Sequence, residues 1–168
     1  PKNSHVVPAL IRRFHEAKIN DLEEVFIWGD GSPLREFLHV DDMAKASLYV
    51  LGLKKTEYFK NVHPTLSHIN VGSGEEISIK DLAYIVSKIV KYNGVIKFDT
   101  TKPNGTRRKL LDTKKINSMG WSPTIRLEEG LVDTYKWYLG NNSSLCITIT
   151  KISSKYSTTF LLTKRCLG

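Results

Sequence analysis

At 168 residues, 40% hydrophobic and 25% charged, the chain is long enough to bury about two thirds of its unfolded surface without the help of disulfides or a metal. It holds no apolar run long enough to span a bilayer and no recognisable signal peptide, so a soluble cytoplasmic protein with no membrane partner is expected. The net charge of +8 invites a nucleic-acid partner, but residues 143–168 carry +4 of it, as Lys151, Lys155, Lys164 and Arg165 with no acid among them.

In chain order, "SHVVPALIRRFHEAK" places Val6, Val7, Leu10, Ile11, Phe14 and Ala17 on one helical face, with Asn3 or Ser4 as cap. His5 and Arg12 fall opposite that stripe and Arg13 at its edge. "EVFIW" reads as a strand, the glycine turn "GDG" follows, and "REFLHV" reads as a second strand. Asp41 and Asp42 then open a helix, where carboxylates meet unpaired backbone donors, and the helix runs through "MAKASLYVLGL". "SHINVG" reads as a strand ending in the turn "GSG". Ser78 and Asp81 stand at capping-box spacing before Leu82, Ile85, Val86 and Ile89. "VIKFD" is a further strand, "TTKPNGTRRK" a polar loop, "TKKINSMG" a short helical piece, and "LEEGLVDTYKWYL" a last helix ending near Leu139. Strands alternating with helices indicate an α/β architecture, with too few strands for a complete doubly wound sheet. From Ser143 the chain turns to Ser, Thr and β-branched residues, and residues 142–168 form an atypical tail to which no function attaches.

Cys146 and Cys166 suggest neither a disulfide framework nor a metal site, and the five histidines show no ligand spacing. No metal is expected. "GSGEEI" follows an apolar segment as a dinucleotide loop would, but it lacks the third glycine, and a plain tight turn is the better account. His5, at a helix start, suits a general acid because its imidazole titrates near neutrality, although a lone histidine is more often a surface or capping residue. Arg13, Arg35 and "KPNGTRRK" could jointly bind a diphosphate, since guanidinium forks match phosphate oxygens; three separate solvated faces are the alternative. Trp28 suits stacking on a base or sugar, or core packing.

Five stretches, "NSHVVPALIRRFHEAK", "FIWGDGSPLREFLHVDDMAKASLYVL", "LSHINVGSGEEISIKDLA", "FDTTKPNGTRRKLLD" and "MGWSPTIRLEEGLVDTYKWYL", together resemble the C-terminal half of the GDP-L-fucose synthase family. These are extended short-chain dehydrogenase/reductases acting on nucleotide sugars. The resemblance covers residues 1–141 in order and implies the substrate-binding portion of such an enzyme, with the N-terminal Rossmann portion missing. It implies conversion of GDP-4-keto-6-deoxy-D-mannose to GDP-L-fucose by 3,5-epimerisation and NADPH-dependent 4-reduction. NADPH would be held mainly by the missing half, so the isolated chain is expected to be inactive in reduction. The resemblance gives His5 the epimerisation acid/base role, and substrate contacts to Val6, Arg13, Trp28, Arg35, Asn104 and Lys109. Arg35 would hold the diphosphate, with Phe37 to Val40 continuing the strand. It also implies a homodimer at full length and no nucleic-acid partner. Asn104 stands where the family usually has Asp, keeping an acceptor and losing a charge, and Arg107 stands where a proline is common. The competing class is a non-catalytic nucleotide-sugar or nucleic-acid binding module.

Overall fold

The computed structural model describes residues 5–153, with side chains through residue 141. The chain divides into two compact units, Pro1–Asp133 and Thr134–Gly168. In the first, helix α1 (Val6–Ile19) precedes strands β1 (Glu24–Trp28) and β2 (Leu34–Glu36), then helices α2 (Val40–Leu51) and α3 (Lys55–Asn61). Strand β3 (Glu76–Ser78), helix α4 (Ile79–Val90), strands β4 (Val95–Asp99) and β5 (Arg108–Lys109) and helix α5 (Lys114–Ser118) follow. The last helix, α6, runs Leu127–Ser153. Helices and strands are interspersed along the chain, as in an α/β protein.

The strands form two small sheets. β1 and β4 pair in parallel, Phe26 beside Lys97 and Trp28 beside Asp99, and the Lys97 ammonium forms an ion pair with Glu24. β2 is the centre of a three-stranded sheet, antiparallel to β3 and parallel to β5. One core lies where α1 meets α4. Leu10, Ile11, Phe14 and Ala17 are buried on α1, Leu82, Ala83, Val86 and Val90 on α4, and the Phe14 and Tyr92 rings sit 5.5 Å apart. A second core gathers Ala46, Ile116 and Trp121, with Leu38, Tyr49, Val50, Ile69 and Val71 packed on it. In the second unit, the Tyr135 and Tyr138 rings stack with centroids 6.4 Å apart.

Several expectations need correction. α1 starts on His5 as N-cap, held by its extended backbone and not by a side-chain capping bond; Asn3 and Ser4 lie outside the described residues. Of "REFLHV" only Arg35 and Glu36 lie in a strand, because His39 serves as N-cap of α2, its ring accepting the Asp41 amide, so Val40 is helical. "SHINVG" makes no strand: Ile69 and Val71 satisfy their apolar character by packing on the second core, and the ladder partner of β2 is Glu76–Ser78 instead. The basic loop ends in β5, and α3 was not anticipated. α6 continues past Leu139 to Ser153; residues 154–168 of the tail lie outside the described residues.

Other expectations hold. Ser78 caps α4, its hydroxyl oxygen accepting the Asp81 amide at 3.0 Å. Burial on α4 centres on Leu82, Ala83, Val86 and Val90, leaving Ile85 and Ile89 at the edge of the face.

Candidate functional site

The alternating geometry of a strand sends successive side chains to opposite faces. On the β3–β2–β5 sheet, Glu36 lies opposite Glu76 and Leu34 opposite Ser78 and Arg108, so these residues share one face; Arg35 lies opposite Ile77 and Lys109 on the other. The first face is electrostatically satisfied. The Arg108 Nε donates to Glu76 Oε2 at 2.7 Å, and this partner holds the Arg108 guanidinium above its ordinary pKa. The second face sets Arg35 directly beside Lys109. Like charges at opposed positions of a sheet repel. Among the described residues, neither cation has an ion-pair partner, and Arg35 turns its Nη1 to the carbonyl of Leu34 at 2.6 Å.

The basic loop is fastened beside this pair. The Asn104 Oδ1 accepts the Asp30 amide at 3.0 Å, joining "KPNG" to the glycine turn after β1. Gly29 has φ +80°, and a Cβ there would run into the Asn104 side chain, so the loop approaches the turn as closely as glycine permits. The Asp30 carboxylate accepts the Ser32 amide at 2.8 Å; bonds from Ser32, and then from Asn104, hold it below its usual range. Next in the loop, Gly105 passes so near the Arg35 guanidinium that a Cβ would come within 3.1 Å of Nη2.

Of the residues singled out in the sequence, Arg35, Lys109 and Asn104 therefore converge. Trp28 ends β1 immediately before the turn that Asn104 grips, and at 65% exposure it is no core residue. Arg13 reaches the same strand, its Nη1 donating to the Phe26 carbonyl at 2.5 Å. His5 and Val6 stand at the start of α1, about 10 Å of helix before Arg13. His5 is exposed and Val6 half-buried.

Glu36 carries no sequence signal, and Asp42, expected to meet the donors of its own helix start, serves the Thr124–Ile125 segment instead. Glu36 accepts the Gly74 amide at 2.6 Å and the Leu111 amide at 3.0 Å. Asp42, 1% exposed, accepts the amides of Thr124 and Ile125 and the Thr124 hydroxyl, each at 2.8 Å. Burial pushes the Asp42 carboxyl up, but those bonds, with Lys45 at 3.6 Å, outweigh it and leave the group below its ordinary value. In the "GSG" turn the Gly74 amide already serves the Glu36 carboxylate, a structural use of the turn. No group of three or more His, Cys, Asp or Glu is placed to hold a metal, and no helix is long and apolar enough to cross a membrane, among the described residues.

Residues 1–72 match the NAD dependent epimerase/dehydratase family. Over 141 residues the chain is 52% identical to GDP-L-fucose synthase of Escherichia coli, an alignment covering 84% of this chain and 44% of that protein. The chain is a relative of the GDP-L-fucose synthases. It spans less than half the length of that curated relative. Two solved structures from Campylobacter jejuni share the fold. A GDP-6-OMe-4-keto-L-xylo-heptose reductase superposes with a TM-score of 0.73 at 33% identity, covering 82% of this chain and 48% of that one. A GDP-mannoheptose C4 reductase with NADP bound gives 0.69 at 36% identity, covering 82% and 45%.

Proposed function

We propose that residues 1–141 form the substrate-binding portion of a GDP-L-fucose synthase, an NADPH-dependent enzyme that converts GDP-4-keto-6-deoxy-D-mannose to GDP-L-fucose. The observation that carries the proposal is the juxtaposition of Arg35 and Lys109 on one sheet face, with no carboxylate paired to either among the described residues. Two cations held side by side suit a diphosphate, which would turn a repulsion into a clamp through a bidentate guanidinium and a point-charge ammonium. Asn104, beside that clamp, would face the nucleoside, and the exposed Trp28 indole offers a flat surface to the base or sugar. Val6 and Arg13 would line the path toward the sugar along α1.

His5 takes the acid/base role. Carbons 3 and 5 flank the ketone of the substrate, so their protons are acidic; an imidazole that removes or returns a proton there inverts the centre once the opposite face is reprotonated. NADPH would supply the hydride for the following 4-reduction. Among the described residues the Gly74 amide of the glycine turn is taken by Glu36, and the part of this chain is to bind the GDP-sugar and to move protons. A cytoplasmic homodimer completes the proposal.

The polymer-binding alternative fares worse. Arg108, in the middle of the basic run, is already neutralised by Glu76, which breaks the row of cations a nucleic-acid backbone would need. The test is calorimetric titration of GDP, alongside solvent-deuterium incorporation into the keto sugar by NMR for His5. The proposal expects GDP binding that is weakened in Arg35→Ala, and incorporation that is lost in His5→Asn. A chain that ignores GDP, or an Arg35→Ala variant that binds it equally well, would overturn it.

A further inference from the structure

We infer that Glu36 is a positioning residue for the diphosphate clamp, acting from the opposite face of the sheet; the inference rests on the functional proposal above. β5 is only two residues long, an edge strand too short to hold its own register. It is fixed at both ends. Before it, the Leu34 amide donates to the Arg107 carbonyl at 2.9 Å; after it, the Leu111 amide donates to Glu36 Oε2 at 3.0 Å. Through its other oxygen Glu36 grips the Gly74 amide at 2.6 Å, so the side chain is held from two directions and cannot swing away from Leu111. The neighbour of Glu36 in β2 is Arg35, and Leu111 lies two residues beyond Lys109. One carboxylate therefore sets Lys109 beside Arg35 while touching neither. Gly72 completes the arrangement: it is buried, and a Cβ there would meet the Glu36 Cδ at 2.8 Å.

Charge and position make opposite forecasts for this residue. Regarded only as a negative charge near an anion site, Glu36 repels GDP, and its neutralisation should tighten binding. As the strut that aligns two cations, its loss should weaken binding. Glu36→Gln separates the two, because the amide keeps the volume but turns one acceptor into a donor facing an N–H.

The experiment is titration of GDP into the unaltered chain and into Glu36→Gln, Lys109→Ala, the double variant and Gly72→Ala, each checked for folding by circular dichroism. Gly72→Ala displaces the carboxylate without removing its charge, and serves where Glu36→Gln fails to fold. Either variant should weaken GDP about fivefold to tenfold, the scale of one ordinary net hydrogen bond, since the clamp is misaligned and not removed. In the Lys109→Ala background Glu36→Gln should cost less than about twofold, since the residue it aligns is gone. Equal or tighter binding by folded Glu36→Gln, or the same loss in both backgrounds, overturns the inference. If GDP binding needs Arg35 but survives Glu36→Gln, only this inference falls; if the unaltered chain does not bind GDP, the functional proposal falls with it.

Discussion

Asn104 and Asp30, 74 residues apart, are joined by a hydrogen bond of 3.0 Å from the Asp30 amide to the carboxamide oxygen. This is the stitch that holds the basic loop against the glycine turn after β1, and Gly29 leaves it room. Asn104→Ala should lower stability by about 0.5–1.5 kcal/mol, the net worth of one such bond at an exposed site. The larger effect is expected on the loop, which should be cut faster by trypsin after Arg107 and Arg108. Denaturant melts and timed proteolysis check this; unchanged cleavage would show that the loop is held by β5 alone.

The helices other than α3 were legible because their apolar residues recur at helical period and because Ser78 and the paired acids mark two helix starts. The sheets were half legible. "EVFIW" and "VIKFD" announce themselves by composition, whereas Glu76–Ser78 is three half-buried residues with no alternation, defined by its partner β2 rather than by its own sequence. At the site, Arg35 and Lys109 could be named, but their adjacency could not, since it depends on the parallel register of a two-residue strand. Glu36 carried no local signal: an acid in a strand usually faces water, and only the fold brings Gly74 and Leu111 to it.

Arg35→Ala should cost about 1.5–3 kcal/mol of GDP binding, the range for hydrogen bonds to charged groups. Its loss should change stability by no more than about 0.5 kcal/mol, as for a residue whose contact is to its own strand's carbonyl. Removing one of two adjacent cations should also flatten the salt dependence of GDP affinity. Titration at two ionic strengths, with a denaturant melt, decides the matter. Unchanged affinity with a large loss of stability would make Arg35 a structural residue.

Gly31 has φ +78° and is buried in the turn between β1 and β2, where its carbonyl accepts the Lys80 amide at 2.9 Å. An added Cβ would stand 2.6 Å from Phe98 Cε1 and 2.9 Å from Lys80 Cβ, so strain and collision act together. Gly31→Ala should destabilise by about 2 kcal/mol or more, combining a left-handed residue with overpacking. Gly140, where an added Cβ meets nothing within 4 Å, is the control expected to tolerate alanine. Equal melting points for the two variants would refute the steric account of this turn.

The last prediction concerns pH. Asp42 joins the first turn of α2 to the segment before α6 through three hydrogen bonds of 2.8 Å, and its carboxyl is held below its ordinary value once those bonds outweigh burial. A carboxyl whose folded pKa is depressed contributes stability that is fully present above its unfolded pKa of about 3.9 and is lost as pH falls through the folded value. Asp42→Asn keeps one acceptor but aims an N–H₂ at backbone donors, and should cost about 2–3 kcal/mol near neutrality, where a charged acceptor is lost and a buried amide goes unpaired. The variant has no carboxyl to protonate at this position, so across pH 5 to pH 2 the gap between it and the unaltered chain should hold at first and shrink once pH falls below about 4. Denaturant midpoints measured across that window test the sign as well as the size. A gap that stays constant would mean that the Asp42 carboxyl has the same pKa folded and unfolded, and a gap that widens toward acid would mean that it is protonated in the folded chain.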